Sequence, residues 1–391
     1  MTRPRALLVN EMGGGVEYAE RLCLIARHLA DAGFHCRLAL PQPLAAHYRR
    51  FFPTIAWPRL NSVAPFSAER AACYIDLLAS VGFASPLNLT RMLNAADRRL
   101  AACAPDLVVA DFAPLAQLAA RGRLPVVCLG SGYTLPPLDC ADLPPFRDDL
   151  EPMVDPAELL AALAEALDSR SGGRPASIAA AFAVRADIVC CHRELDIYSR
   201  YRRNAVAGPL PGGRPAALPA QAAIFARLAP DHPDLERILQ CLAAAGVPCR
   251  IHVPNAAPIL AAAAAGTAVT VSGGPCDLVD ELNRCSLVLH GGDIDVADAA
   301  LAAGRPQLLL PLYVEQALVT DQLAELGIAV RIDMQASAAD IVQTLRRSVA
   351  NASLAAVAQS LALRLAQRNL KPALDLIVEQ AVGAINPALE P

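Results

Sequence analysis

Three stretches of this sequence set glycine beside groups that ionise or donate hydrogen bonds. In the first, Glu11-Met-Gly-Gly-Gly-Val-Glu-Tyr-Ala-Glu-Arg21, the glycines follow an apolar run and precede an amphipathic one. Glycine lets the backbone turn sharply and approach a ligand, and a helix N-terminus adds positive potential for an anion. No G-x-G-x-x-G is completed and no Gly-Lys-Ser/Thr follows, so this is neither a dinucleotide fingerprint nor a Walker loop. A structural turn accounts for it equally well. In the second stretch, His290 closes an apolar run, Gly291 and Gly292 follow, and Asp293, Asp295 and Asp298 lie in the helical pattern beyond. Backbone amides and an imidazole would face whatever occupies that helix start, although Asp293 or Asp295 could simply be its N-cap. In the third, Pro311 ends a strand-like run and Glu315-Gln316 begins the next helix, where acidic residues also serve the helix dipole.

These loops matter only if parallel strands precede them, because doubly wound sheets bind ligands at the carboxyl ends of their strands. The alternation of short β-rich runs with helical stretches predicts such a sheet, twice. In the first half, strands are expected over 5–11, 35–40, 54–60, 106–111, 126–130 and 187–191. Helices are expected over 16–32, 66–80, 87–103 and 113–121. The Pro- and acid-rich stretch 135–156 reads as a long loop, functional or simply a surface excursion. A Pro/Gly segment from Gly208 cannot hold a helix or a central strand. The pattern then restarts, with strands over 223–228, 249–253, 267–271, 287–290, 307–312 and 329–332. The expected domains are 1–207, a linker 208–221, a second α/β domain 222–370, and a C-terminal helix and tail 371–391.

Composition narrows the classes. Of 391 residues, 54% are hydrophobic and 18% charged, which excludes a disordered chain. A net charge of −4 gives no electrostatic case for binding nucleic acid or an anionic membrane surface. Apolar stretches are broken well short of the ~20 residues a spanning helix needs, and no signal-peptide core is visible, so a cytoplasmic location is expected. The 12 cysteines form no C-x-x-C pair and most sit in apolar runs, where a reduced thiol behaves as a small hydrophobe. No metal site is expected from them.

Together, His290-Gly-Gly, Asp298-Ala-Ala-Leu-Ala-Ala-Gly-Arg-Pro306, Leu-Leu-Leu-Pro311, Glu315-Gln316 and Leu326-Gly327 resemble the donor-binding signature of family 1 glycosyltransferases. That group includes the macrolide and UDP-glucosyl transferases of the GT-B fold. The glycine loop with Arg21–His35, and Ala207-Gly-Pro-Leu210, resemble that family's first domain and its exit. Gly132-Tyr-Thr-Leu-Pro-Pro137 and Glu194-Leu-Asp196 are similar to segments of further bacterial relatives.

The resemblance implies two facing Rossmann-like domains, an N-terminal acceptor domain and a C-terminal nucleotide-sugar domain, with a C-terminal helix crossing back. It implies transfer of a sugar from a UDP- or dTDP-linked donor to a small, fairly apolar acceptor, with inversion. The donor would lie on His290, Gly291, Gly292, Asp295, Asp298, Glu315 and Gln316. Asp298 would take the place of the family's ribose-binding glutamate, and His290 would stabilise the leaving diphosphate. The acceptor would lie on Gly14, Gly15, Tyr18 and Tyr133.

The chain departs from the family at the base position and in the phosphate loop. Tyr18 stands where the family's base histidine aligns, and a phenol with a pKa near ~10 is a poor base at neutral pH. That leaves Asp111, or its rival Glu17, as the expected base. Asp293 and Asp295 stand in the phosphate loop, where at ~4 Å and an effective dielectric near 20 each carboxylate–phosphate pair costs on the order of 4 kcal/mol. No cofactor is required by this family, though Mg²⁺ could bridge the two carboxylates. The alternatives are a catalytically impaired relative that binds a ligand or partner, or another GT-B chemistry such as an epimerase.

Overall fold

A computed structural model describes residues 3–13, 16–42, 44–66, 68–140, 143–203, 206–210, 213–254, 256, 258–274, 276–368 and 370–385. The first half runs β1 (Arg5–Asn10), α1 (Val16–Asp31), β2 (His35–Leu40), α2 (Leu44–Tyr48), β3 (Thr54–Ala56), α3 (Tyr74–Ser80), α4 (Pro86–Cys103), β4 (Leu107–Asp111), α5 (Pro114–Ala120), β5 (Val126–Gly130), α6 (Pro156–Leu167), α7 (Ile178–Ala181) and β6 (Ala186–Val189). The second runs β7 (Ile224–Arg227), α8 (Leu235–Ala245), β8 (Cys249–His252), α9 (Pro258–Ala263), β9 (Val269–Ser272), α10 (Leu278–Arg284), β10 (Leu287–His290), α11 (Ile294–Ala303), β11 (Gln307–Leu309), α12 (Val314–Glu325), β12 (Ala329–Arg331), α13 (Ala338–Val349), α14 (Ala352–Ala366) and α15 (Ala373–Ile385).

Among the described residues there are two six-stranded sheets, ordered β3-β2-β1-β4-β5-β6 and β12-β11-β10-β7-β8-β9. Every pairing is parallel. Each order reverses at its first strand, the doubly wound arrangement whose crevice opens at the carboxyl ends. Central strands are buried on both faces, which is why β4 and β5 read as unbroken apolar runs.

The chain forms two compact units: residues 1–190, 196–207 and 371–391 in one, 191–195 and 208–370 in the other. Helix α15 therefore belongs with the first sheet, packing on α1, β4, β5 and β6. The segment Gly208–Leu210 is buried, and beyond it Arg305 anchors the chain to the second unit. That guanidinium is itself fully buried and donates to the carbonyls of Leu282, Ala216 and Ala217 at 2.7, 2.9 and 2.9 Å.

Several boundaries differ from the sequence reading. The third strand stops at Ala56 because Trp57 turns its indole inward. The expected helix over 66–80 is a 3₁₀ turn at Ala68–Arg70 followed by α3. Within the described part of 135–156, expected as a long loop, Leu135, Leu143, Phe146 and Val154 are buried. Asp76 fastens it by accepting from the N–H groups of Met153 and Ala72 at 2.7 and 2.8 Å. The alanine-rich helix α6 (Pro156–Leu167) was not expected from the sequence. No single helix among the described residues is long and apolar enough to cross a membrane.

Candidate functional site

In the first unit the carboxyl edge of the sheet is built from β1 and β4, whose last residues Asn10 and Asp111 lie in register. Asn10 Nδ2 donates to the Asp111 carbonyl at 2.9 Å. The Asp111 carboxylate is fully buried and pairs with Arg21 of α1 at 3.2 Å, the two side chains being 0% and 4% exposed. A base must reach the proton it removes. Asp111, the expected base, thus ends a central strand with its Oδ1 on Arg21 and its Oδ2 buried. Glu17 is half-buried in the first turn of α1.

Tyr18 is almost buried, stacked on Phe112 with ring centroids 6.5 Å apart and lying beneath Arg21 at 4.9 Å. Its ring explains Gly13, where an added Cβ would come within 2.4 Å of it. Tyr133 packs edge-on to Phe112 at 6.1 Å and tilts against Phe146 at 5.2 Å. Phe112 holds φ +48 directly after Asp111, a strained conformation of the kind that accumulates at binding sites. The expected acceptor residues Gly14 and Gly15 lie outside the described residues.

Glu11 was not singled out in the sequence as a site residue. It accepts from Trp57 Nε1 and from the N–H groups of Leu115 and Ala116, each at 2.7 Å. Burial pushes its carboxyl up from the ordinary 4.5 to about 8, against the pull of those three donors. It splices β1, the Trp57 strand end and the start of α5.

The second unit holds the remaining candidates at its own carboxyl edge. His290, Arg227 and His252 end β10, β7 and β8 in register. His290 is fully buried and neutral, its pKa lowered first by burial. Its Nδ1 accepts from the Gly292 N–H at 3.1 Å. Its Nε2 donates to Gln307 Oε1 at 2.8 Å, while Gln307 Nε2 donates to the Ala297 carbonyl at 3.0 Å. That chain fixes the tautomer and engages both ring nitrogens of His290, the residue expected beside the leaving diphosphate.

Gly292 holds φ +104, and a Cβ there would meet the Gln316 carbonyl oxygen at 2.7 Å. The glycine pair thus lets the start of α12 close onto the loop. Gln316 completes the closure by accepting from the Leu312 N–H at 2.8 Å and donating to Asp293 Oδ1 at 2.9 Å. Asp293 is the N-cap of α11, but its side chain does not cap the helix. Asp295 and Glu315 lie half-buried in the first turns of α11 and α12. Beside them Leu312 and Tyr313 are exposed.

Asp298 is buried in α11, and its carboxylate is already taken. His192 Nδ1 donates to Oδ1 at 2.6 Å and the His192 backbone N–H to Oδ2 at 3.0 Å. Asp298, the residue expected to bind ribose, therefore meets His192 through both oxygens. This partner, 106 residues away, leaves no signal in local spacing. Among the described residues no three metal-ligating side chains cluster.

The topology and these loops define a GT-B fold: two Rossmann-like α/β units in tandem. Solved structures agree along the full chain. It is 16% identical to the glycosyltransferase VinC in complex with dTDP, covering 97% of this chain and 99% of that one with a TM-score of 0.67. It is 18% identical to the calicheamicin glycosyltransferase CalG4, covering 100% of each with a TM-score of 0.67. It is 17% identical to the glycosyltransferase SnogD from Streptomyces nogalater, covering 97% and 99% with a TM-score of 0.62. No protein-family model matches the chain, and no curated protein matches it by sequence.

Proposed function

We infer that the protein is a family 1-type glycosyltransferase that moves a sugar from a UDP- or dTDP-linked donor to a small apolar acceptor, with inversion. One observation carries this reading. The stretch His290–Gln316 that resembles the family's donor signature lies at the carboxyl edge of a doubly wound sheet. That is the edge at which such sheets take ligands. The likeness in fold to glycosyltransferases over the whole chain supports it.

In this reading the donor lies against the turn Gly291-Gly292 and the starts of α11 and α12, with Asp295 and Glu315 offering carboxylates to hydroxyl groups. Gln316 and Asp293 hold the two helix starts together. The acceptor lies beside the largely buried aromatic cluster of Tyr18, Phe112 and Tyr133, with Glu17 the carboxylate that takes its proton. A diphosphate leaves readily, so modest base assistance suffices.

The test is a panel of UDP- and dTDP-hexoses, with and without Mg²⁺, followed by release of the nucleoside diphosphate alone and with apolar hydroxylated acceptors. Release with at least one donor, and a product of inverted anomeric configuration by NMR, is expected. No release with any donor would replace the transferase with a non-catalytic relative.

A further inference from the structure

Asp298 and His192 are 1% and 6% exposed, so their pair forms away from bulk water. Both Asp298 oxygens are engaged by His192, one through the ring and one through the backbone. A ribose hydroxyl seeking that carboxylate would have to share it with a charge-assisted hydrogen bond, the stronger kind. What the pair offers instead is the far side of the ring. A carboxylate only accepts, so Nδ1 carries a hydrogen and Nε2 points away from Asp298. The side chain keeps 8% of its surface open.

The ring's surroundings belong to the donor loops. Asp298 lies on α11, whose first turn carries Asp295. The short turn Arg193–Leu195 that follows His192 packs on α12, the helix that opens with Glu315 and Gln316. The same segment is pinned again by Glu194, which accepts from Arg368 at 2.9 and 2.5 Å.

We propose that His192 is a donor-side anion ligand, giving its Nε2–H to a phosphate oxygen of the nucleoside diphosphate, with Asp298 as its positioning residue. This rests on the nucleotide-sugar reading and deepens it. The charged groups acting on the ring are Asp298 on α11, Glu194 on its own segment and Arg368 after α14. Burial opposes the charge and Arg368 lowers it, while Asp298 and Glu194 raise it, and the net direction is upward. Nucleotide binding should therefore be stronger with the ring protonated and weaken as pH rises past its raised pKa.

The experiment is calorimetry of dTDP and UDP binding to the full-length protein between pH 6 and 9. The proteins are wild type, His192→Asn and Asp298→Asn, and the His192 ring is titrated by NMR without nucleotide. Asparagine can keep the bond to Asp298 through its amide while losing the distal donor, so His192→Asn separates folding from binding. His192→Asn should bind on the order of tenfold more weakly at pH 6 and converge on wild type at pH 9. Asp298→Asn should move both the binding inflection and the ring's titration to lower pH. Equal profiles for wild type and His192→Asn would overturn the proposal. So would tighter binding by His192→Asn, which would mean that the ring merely plugs a carboxylate the ribose needs. If wild type binds neither nucleotide at any pH, the nucleotide-sugar reading itself fails.

Discussion

Asp111 is the residue at which a chemical and a structural role give opposite results. Its carboxylate and the Arg21 guanidinium are 0% and 4% exposed at 3.2 Å, so Asp111→Asn removes the charge from one side of a buried pair. Breaking a buried pair from one side costs about 3–5 kcal/mol. For a unit of roughly 200 residues that lowers Tm by about 6–20 °C. Replacing both partners, as in Arg21→Met with Asp111→Leu, removes the stranded charge, and the double variant should be more stable than either single one. The assay is thermal and urea unfolding of the three variants beside wild type, with turnover measured well below each Tm. The structural account expects large stability losses in both single variants, recovery in the double, and activity that follows the folded fraction. An Asp111→Asn protein with wild-type Tm and no turnover would refute it and return Asp111 to the chemistry.

Glu17→Gln should lower kcat and kcat/KM alike with Tm unchanged, the pattern of a group acting only in the transition state; full turnover would remove Glu17 as base. Gly292→Ala forces a side chain into φ +104 and within 2.7 Å of the Gln316 carbonyl. It should cost about 1–3 kcal/mol of stability in chemical denaturation and weaken nucleotide binding, because the loop between β10 and α11 must open. Glu11 gives a signed pH dependence. Its folded pKa is raised from 4.5 to about 8, so the folded state binds more protons within that window. Its contribution is fully present below about pH 4.5 and is lost as pH rises through about 8. The stability difference between wild type and Glu11→Gln should fall across that range. A difference that rises with pH would mean that the three N–H donors hold the carboxylate ionised.

The fold was legible in the sequence because both of its signals are local. Strands such as His35–Leu40, Val126–Gly130 and Leu287–His290 lie where the apolar runs put them. The restart after the Pro/Gly segment marked a second sheet. The helices missed, α2, α6, α7, α9 and α10, are short or alanine-rich. The site was legible as positions but not as partners. The His290, Gly292 and Gln316 stretch could be placed at strand and helix ends from spacing alone. That His290 spends both nitrogens on Gln307 and Gly292 could not. Nor could the pairing of Arg21 with Asp111, or of His192 with Asp298, be seen, since each joins residues far apart in sequence. Those pairings decide which carboxylates and imidazoles remain to meet a ligand.

The central claim, that the second unit holds a nucleotide diphosphate at its carboxyl edge, is tested most directly by hydrogen exchange on the full-length protein with and without saturating dTDP or UDP. The account predicts that protection rises in the backbone of 290–298 and 310–316 and around His192. No protection with either nucleotide, or protection confined to residues outside those segments, would contradict it.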